Sequence, residues 1–322
     1  MRNTKDKRHS TIKPIEVSII TVNYNGYVDT CQMIESIREH LRAITYEIIV
    51  VDNASKTNEL SRIAQKYPFI RAVRSQKNLG FAHGNNLGAT MARGKYLFFL
   101  NNDTFVKDST IRRLIDRLES DSSIGGVSPM LRYTDEYELV QFAGFTPLSR
   151  YTLRNESIGN GDFVDDRYLL PSETPYLHGA AMMVRHDIYK KTGGMPTQYF
   201  LYYEELDWSL SIRNLGYSLW YEPGCIIYHK ESQSTGIQSP LKTYYLTRNR
   251  FLFAYRNNSF RDYFITQLYL LFCVTPRDCL SYLFRGRIGL LRAMFAGIFN
   301  YYSLKKKQKL DDYGYKFSYF LP

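Results

Sequence analysis

Residues 17–26 read VSIITVNYNG, and this stretch sets the reading of everything after it. Val17–Val22 is a continuous apolar and β-branched run, the pattern of a strand buried on both faces. Asn23–Gly26 closes it with turn chemistry. The figure repeats. YEIIVV (46–51) ends at Asp52-Asn53, and YLFFL (96–100) ends at Asn101-Asn102-Asp103. A shorter strand is expected over 70–74. Helical spacing fills the gaps: Met33, Ile34, Ile37 and Leu41 within 29–41, and further helices over 57–67, 84–93 and 108–118. Strands alternating with helices predict an α/β fold, with a mostly parallel central sheet covered on both faces. Ligands of such sheets bind beyond the C-terminal strand ends. Three polar clusters fall there, and together they predict a crevice.

The rest of the chain is less periodic. Residues 125–194 read as loops and short strands, and a short helix is expected over 206–214 behind the acidic pair Glu204-Glu205. From Tyr244 to about residue 310 the pattern is helical, aromatic and basic. The organisation expected is a flexible basic N-terminus (1–14), a catalytic unit (15–240) and a helical C-terminal region (241–322). No internal repeat is visible.

Composition narrows the functional classes. A hydrophobic content of 44% describes a globular chain. The net charge of +11 favours anionic partners or simply solubility. The basic–aromatic region carries no nucleic-acid-binding motif, so a nucleic-acid partner is not expected. Cys31, Cys225, Cys273 and Cys279 form no CxxC pair or zinc spacing, which fits reduced, cytoplasmic thiols. Met1–Ser10 is basic and polar with no apolar run behind it, so no secretory signal is expected. Residues 263–275 and 288–304 are apolar but fall short of a membrane span of about 20 residues.

Seven segments in order resemble glycosyltransferase family 2: VSIITVNYNG (17–26), IIVVDNAS (48–55), NLGFAHGNNLG (78–88), YLFFLNNDT (96–104), HGAAMMVR (178–185), FLYYEELDWSLSIRNLGY (200–217) and CIIYHKES (225–232). Within it the chain looks like the rhamnosyltransferase and galactofuranosyltransferase-like branch. The resemblance implies a GT-A nucleotide-sugar-binding fold with a C-terminal helical extension. It implies an inverting, metal-dependent glycosyltransferase of cell-surface polysaccharide biosynthesis. The donor implied is dTDP-rhamnose first and a UDP sugar next; the acceptor is a hydroxyl of a glycan or polyprenyl-diphosphate-linked sugar. An inactive nucleotide-sugar-binding or scaffold protein of the same fold is the alternative. Oligomeric state is not readable.

The resemblance also assigns roles. Val22, Tyr24 and Asp52 would line the base pocket, although Asp52 can equally cap the following helix. Asn78, Gly80, Asn85, Asn86 and Asn102 would approach the nucleotide sugar. Asn101, Asp103 and His229 would hold a divalent cation, Mg or Mn; the family often carries Asp-x-Asp where this chain has Asn101-Asn102-Asp103. Glu205 stands where the family usually has an Asp as base, with Asp207 as the second candidate. His178, Gly179, Glu204 and Trp208 would face the acceptor.

In the C-terminal third, Arg248, Arg250, Arg256, Arg261, Arg277, Arg285, Arg287, Arg292 and Lys305-Lys306-Lys307 interleave with apolar residues. Leu291, Phe295, Ile298 and Tyr302 recur at helical spacing. This predicts either a helix lying on an anionic membrane, peripheral at the inner face of the plasma membrane, or a helical cover for the catalytic unit.

Overall fold

A computed structural model of the protein describes residues 14–42, 44–230 and 239–306. The basic N-terminus up to residue 13, the end of the 225–232 segment and Lys307 lie outside the described residues.

The chain opens with β1 (Val17–Asn23), α1 (Tyr27–His40), β2 (Tyr46–Asp52), α2 (Glu59–Lys66), β3 (Arg71–Arg74), α3 (Phe81–Met91) and β4 (Tyr96–Leu100). There follow β5 (Thr104–Phe105), α4 (Ile111–Ser120), β6 (Ile124–Tyr133), β7 (Val140–Phe142), β8 (Ser172–Glu173), β9 (Ala181–Arg185), α5 (His186–Thr192), α6 (Glu204–Asn214) and β10 (Ser218–His229). The last part is helical: α7 (Pro240–Asn257), α8 (Phe260–Tyr269), α9 (Thr275–Phe284) and α10 (Ile288–Lys306).

The strands form one sheet of order β3-β2-β1-β4-β9-β6-β10-β5, with β7 beside β6 and β8 beside β10. β3, β2, β1 and β4 are parallel. β9 then runs antiparallel between β4 and β6, and β10 runs parallel to β6. The fold is the expected α/β class. The loop-like reading of 125–194 misses β6, because Gly125, Gly126 and Pro129 hide its apolar character.

Strand alternation divides the interior in two. Ile19, Ile48, Val50 and Phe98 face one core, while Ile20, Ile49, Val51 and Phe99 face the other. Each such buried side chain contributes about 1.5–3 kcal/mol relative to exposure, which explains why these strands read as unbroken apolar runs.

A third core joins the catalytic unit to the C-terminal helices. It gathers Tyr199, Leu206, Phe251, Phe253, Met294, Ile298 and Tyr301. α10 packs on α7 so closely that a Cβ on Gly297 would stand 2.7 Å from the Tyr244 carbonyl oxygen. This corrects the expected lipid-facing stripe: Ile298 is buried and Leu291 and Tyr302 are half-buried in that core, leaving only Phe295 exposed.

Candidate active site

The three polar strand ends converge as the sequence predicts. Asn23, at the end of β1, is buried and works as a hub. Its amide nitrogen donates to Asp52 Oδ1 (3.3 Å), Ser55 Oγ (3.1 Å) and Glu59 Oε2 (2.8 Å). Its oxygen accepts from Thr30 Oγ1 (2.8 Å), and Thr30 in turn accepts from Asn102 Nδ2 (3.0 Å). One network thus ties β1, β2, α1 and the turn after β4 together. Buried polar networks of this kind rigidify a site.

Above it lies a cleft of about 450 Å³. Val22, Tyr24, Asn78, Gly80, Asn101, Asn102, Asp103, His178, Gly179, Glu204, Glu205 and His229 all line it, as the sequence predicts. Five predicted residues do not, and each has a structural occupation. Asp52 is fully buried beneath the floor; Oδ1 is taken by Asn23 and Ser55, and Oδ2 stands 3.2 Å from Arg74 Nε. Its neighbour Asn53 reaches the cleft instead. Asn85 donates to the Phe81 carbonyl within α3. Asn86 clamps Met195, donating to its carbonyl (2.7 Å) and accepting from its N–H (3.0 Å). Trp208 is 0% exposed, edge-on to Phe99, with its indole N–H on Thr192 Oγ1 (2.8 Å). It is core and cannot stack on a ligand.

Asp207 is the fifth. Its Oδ2 accepts from Tyr199 Oη (2.6 Å), Arg256 Nε (2.7 Å) and Asn257 Nδ2 (3.0 Å). It points into the third core, where it anchors α6 to α7. All three donors belong to that core, so this carboxylate oxygen is occupied away from the cleft.

The Asp103 side of the cleft is built by strand pairing. β10 pairs antiparallel with β5, setting His229 opposite Thr104 and therefore beside Asp103. His229 Nε2 lies 3.3 Å from Asp103 Oδ1. His229 Nδ1 lies 2.9 Å from Gln141 Oε1, an acceptor, so Nδ1 carries the proton. In the neutral ring that leaves the Nε2 lone pair facing a carboxylate oxygen. Asp103 Oδ1 is buried with no hydrogen-bond donor. Burial raises the Asp103 carboxyl, but the His229 ring in its charged, donating form, the backbone and Lys230 together hold the group below the usual carboxylate range. With the ring neutral and Nδ1 protonated, a carboxylate oxygen and an imidazole lone pair face each other, a donor set that fits a divalent cation. The Asn101 side chain also lines this end. Among the described residues no cluster of three or more His, Cys, Asp or Glu side chains surrounds a candidate metal position. Two protein ligands suit magnesium or manganese, which complete their shells with phosphate oxygens and water.

A second part of the cleft lining, Phe200, Leu201, Tyr202, Glu204 and Glu205, comes from the segment 197–205. Phe200, Tyr202 and Tyr203 all have positive φ (67°, 71° and 77°), a conformation that costs non-glycine residues roughly 1–3 kcal/mol each. Contacts from outside the loop hold it there. Gly80 abuts Phe200: a Cβ on Gly80 would stand 2.1 Å from the Phe200 carbonyl oxygen, which accepts from Phe81 N–H (2.7 Å). Asn249 of α7 donates to the carbonyls of Tyr199 (3.0 Å), Leu201 (2.7 Å) and Tyr202 (2.8 Å). Arg248 donates to the carbonyls of Gln198 and Tyr199. The strained loop delivers Glu204 and Glu205 into the first turn of α6, two residues earlier than the sequence predicts.

Burial raises both carboxyls, and Glu204 is raised further by Glu205 beside it. Glu205 is pushed up to about 7, so it exchanges a proton near neutrality. Glu204 is raised well above the usual range, and its Oε2 has no hydrogen-bond partner. Gly179 leaves room here; a Cβ on it would stand 3.8 Å from Glu205 Cγ. His178 is kept neutral, pushed down to about 3 by burial and by His229.

Sequence reasoning misses Gln141, which orients His229, and Lys242 and Leu241 at the start of α7, which close the cleft. A second cavity of about 440 Å³, between residues 153–155 and α7, α9 and α10, shares Tyr202 and Glu205 with the cleft. Glu205 therefore faces two spaces.

Comparisons with known proteins give the family and the fold. An uncharacterized glycosyltransferase of Haemophilus influenzae is 25% identical over 183 residues, 56% of each chain, so this chain spans little more than half of that relative. The N-acetylglucosaminyl-diphospho-decaprenol L-rhamnosyltransferase of Mycobacterium tuberculosis is 24% identical over 59% of this chain and 68% of its own. Among solved structures, the mannosyltransferase PcManGT of Pyrobaculum calidifontis in complex with GDP-Man and Mn2+ superposes with a TM-score of 0.54 at 17% identity, over 94% of this chain and 82% of that one. That likeness carries the GT-A fold. The sequence profile described as Glycosyl transferase family 2 matches residues 18–193, more than half of the chain, and the protein belongs to that family.

Proposed function

We propose that this glycosyltransferase inverts the anomeric centre it transfers, moving a sugar from a nucleoside-diphosphate donor to a hydroxyl of a glycan or lipid-linked acceptor in polysaccharide assembly. One observation carries the reading. A carboxylate pushed up to about 7, Glu205, lines the same cleft as Asp103 Oδ1 and His229 Nε2, which stand 3.3 Å apart. One end of the cleft suits a diphosphate and its cation, the other a proton transfer.

In this reading Tyr24, Val22 and Asn53 flank the base and Asn78 and Gly80 lie along the nucleotide. Asp103 and His229, with the Asn101 amide, would hold magnesium or manganese, which neutralises charge on the leaving diphosphate. Lys242 supplies a further positive charge at the rim. Glu205 takes the acceptor proton as the acceptor oxygen bonds to the anomeric carbon. The bond from that carbon to the diphosphate breaks on the opposite face, and the nucleoside diphosphate leaves. Glu204, kept protonated, lowers the negative charge next to Glu205. The second cavity is the acceptor's approach to Glu205. A dTDP-rhamnose donor is favoured by the likeness to the mycobacterial rhamnosyltransferase, with UDP sugars next. A lipid-linked acceptor would place the enzyme at the inner face of the plasma membrane.

The test is a donor panel read by release of dTDP, UDP or GDP, with manganese or magnesium and with chelator, on wild type and Asp103→Ala. Metal-dependent release from one donor, lost in the variant, is expected. No release from any donor would favour a nucleotide-sugar-binding protein without turnover.

A further inference from the structure

α8, a wider turn over residues 270–274 and α9 form one continuous helix from Phe260 to Phe284, about 37 Å long at 1.5 Å per residue. Pro276 explains the wide turn, because its ring cannot lie against the carbonyl four residues back; Thr275 Oγ1 takes up the Leu270 carbonyl (2.8 Å). One side of this helix enters the third core through Leu270 and Val274. The other side presents Phe260, Phe264, Leu268, Phe272, Leu280 and Phe284, repeating mostly every four residues. A four-residue step overshoots a helical turn by about 40°, and the wide turn takes back part of that drift, so the row stays on the outside. Phe260 and Phe284 are each 87% exposed and Phe272 is 72% exposed. Large aromatic side chains at such exposure, in a continuous row, mark an interaction surface.

The charges beside the row say what it meets. Arg261 and Arg285 follow Phe260 and Phe284 in the chain, and both are exposed, as are Arg287 and Arg292 just beyond the helix. Between Phe260 and Lys306 the acidic residues are Asp262 and Asp278, and each is engaged by an arginine: Asp262 by Arg150 (3.0 Å) and Asp278 by Arg277 (2.6 Å). A second copy of this face would set arginines against arginines. Among the described residues no helix is long and apolar enough to cross a membrane. We propose that the outer face of the Phe260–Phe284 helix, with the arginines of the following turn, docks on an anionic lipid surface and lies in its interface. The proposal deepens the membrane placement above and rests on it. It does not depend on donor chemistry.

The test uses the full chain and flotation with phosphatidylcholine vesicles, with and without phosphatidylglycerol. Binding to the anionic vesicles, weakened by salt, is expected. Phe272→Ser with Phe284→Ser, and separately Arg285→Glu with Arg287→Glu, should each weaken it at least about tenfold while donor turnover stays at the wild-type rate. Unchanged binding in both double variants overturns the proposal. So does a dimer in sedimentation that the phenylalanine variant splits, or vesicle binding that appears only once residues 307–322 are removed. Turnover without vesicle binding sinks the docking face alone. Vesicle binding without turnover from any donor sinks the transferase reading alone.

Discussion

The two walls of the cleft are built by different means. The Asp103 wall is carried by the sheet: Asn101, Asn102 and Asp103 end a buried strand, and pairing of β10 with β5 brings His229 to them. The Glu205 wall is borrowed. Residues 197–205 hold three positive-φ positions with help from Asn249 and Arg248, some fifty residues further on, which take the carbonyls of Gln198, Tyr199, Leu201 and Tyr202. The first wall depends on two residues meeting, the second on a helix from outside the family's matched segment. The difference teaches that the C-terminal region does more than cover the domain: α7 sets the position of Glu205.

This contrast can be broken at several points. The largest effect is expected from Glu205→Gln, which should lower transfer by about 10²–10⁴-fold with nucleotide binding intact. Stability should move the other way. The folded state holds Glu205 near 7, above its unfolded value, so the folded protein keeps a proton that the unfolded chain releases. Stability is therefore lost as pH rises through that range. Glu205→Gln should melt higher than wild type at pH 8, checked by calorimetry. A lower melting temperature there would contradict the burial argument.

On the other wall, Asp103→Ala should cost about 10²-fold in metal-stimulated turnover, with a matching rise in the metal concentration required. Gln141→Leu should leave chemistry at saturating metal near wild type while weakening metal affinity about tenfold, since it frees the His229 ring. Asn249→Ala addresses the borrowed wall. It should lower kcat about tenfold without changing nucleotide affinity, because the loop relaxes away from the acceptor side. An equal loss of nucleotide affinity would mean that the two walls are not separable. The smallest effect on rate belongs to Asp207→Asn. Turnover per folded molecule should be unchanged, while stability falls by about 3 kcal/mol from breaking the buried pair with Arg256.

What the sequence discloses follows the same division. The strands β1, β2 and β4 are legible because burial on both faces makes them unbroken apolar runs, and their polar ends are legible because turns need those residues. Glu205 is legible by resemblance. Asp207 and Trp208 mislead, because a helix start rich in acids and aromatics reads alike whether a side chain faces ligand or core. Their partners, Arg256, Asn257 and Thr192, are fixed only by tertiary packing. Asp52 misleads for a related reason: a strand-end carboxylate reads the same above or below the floor. The α10 stripe was ambiguous because the face toward α7 and the face toward solvent are both apolar.

The most direct test of the account is the pH dependence of kcat/KM for wild type beside Glu205→Gln, at saturating manganese. The account predicts a wild-type acid limb near pH 7, with activity falling as Glu205 takes up a proton, and no such limb in the residual activity of the variant. A wild-type profile flat down to pH 5, or a limb that persists in Glu205→Gln, would contradict it.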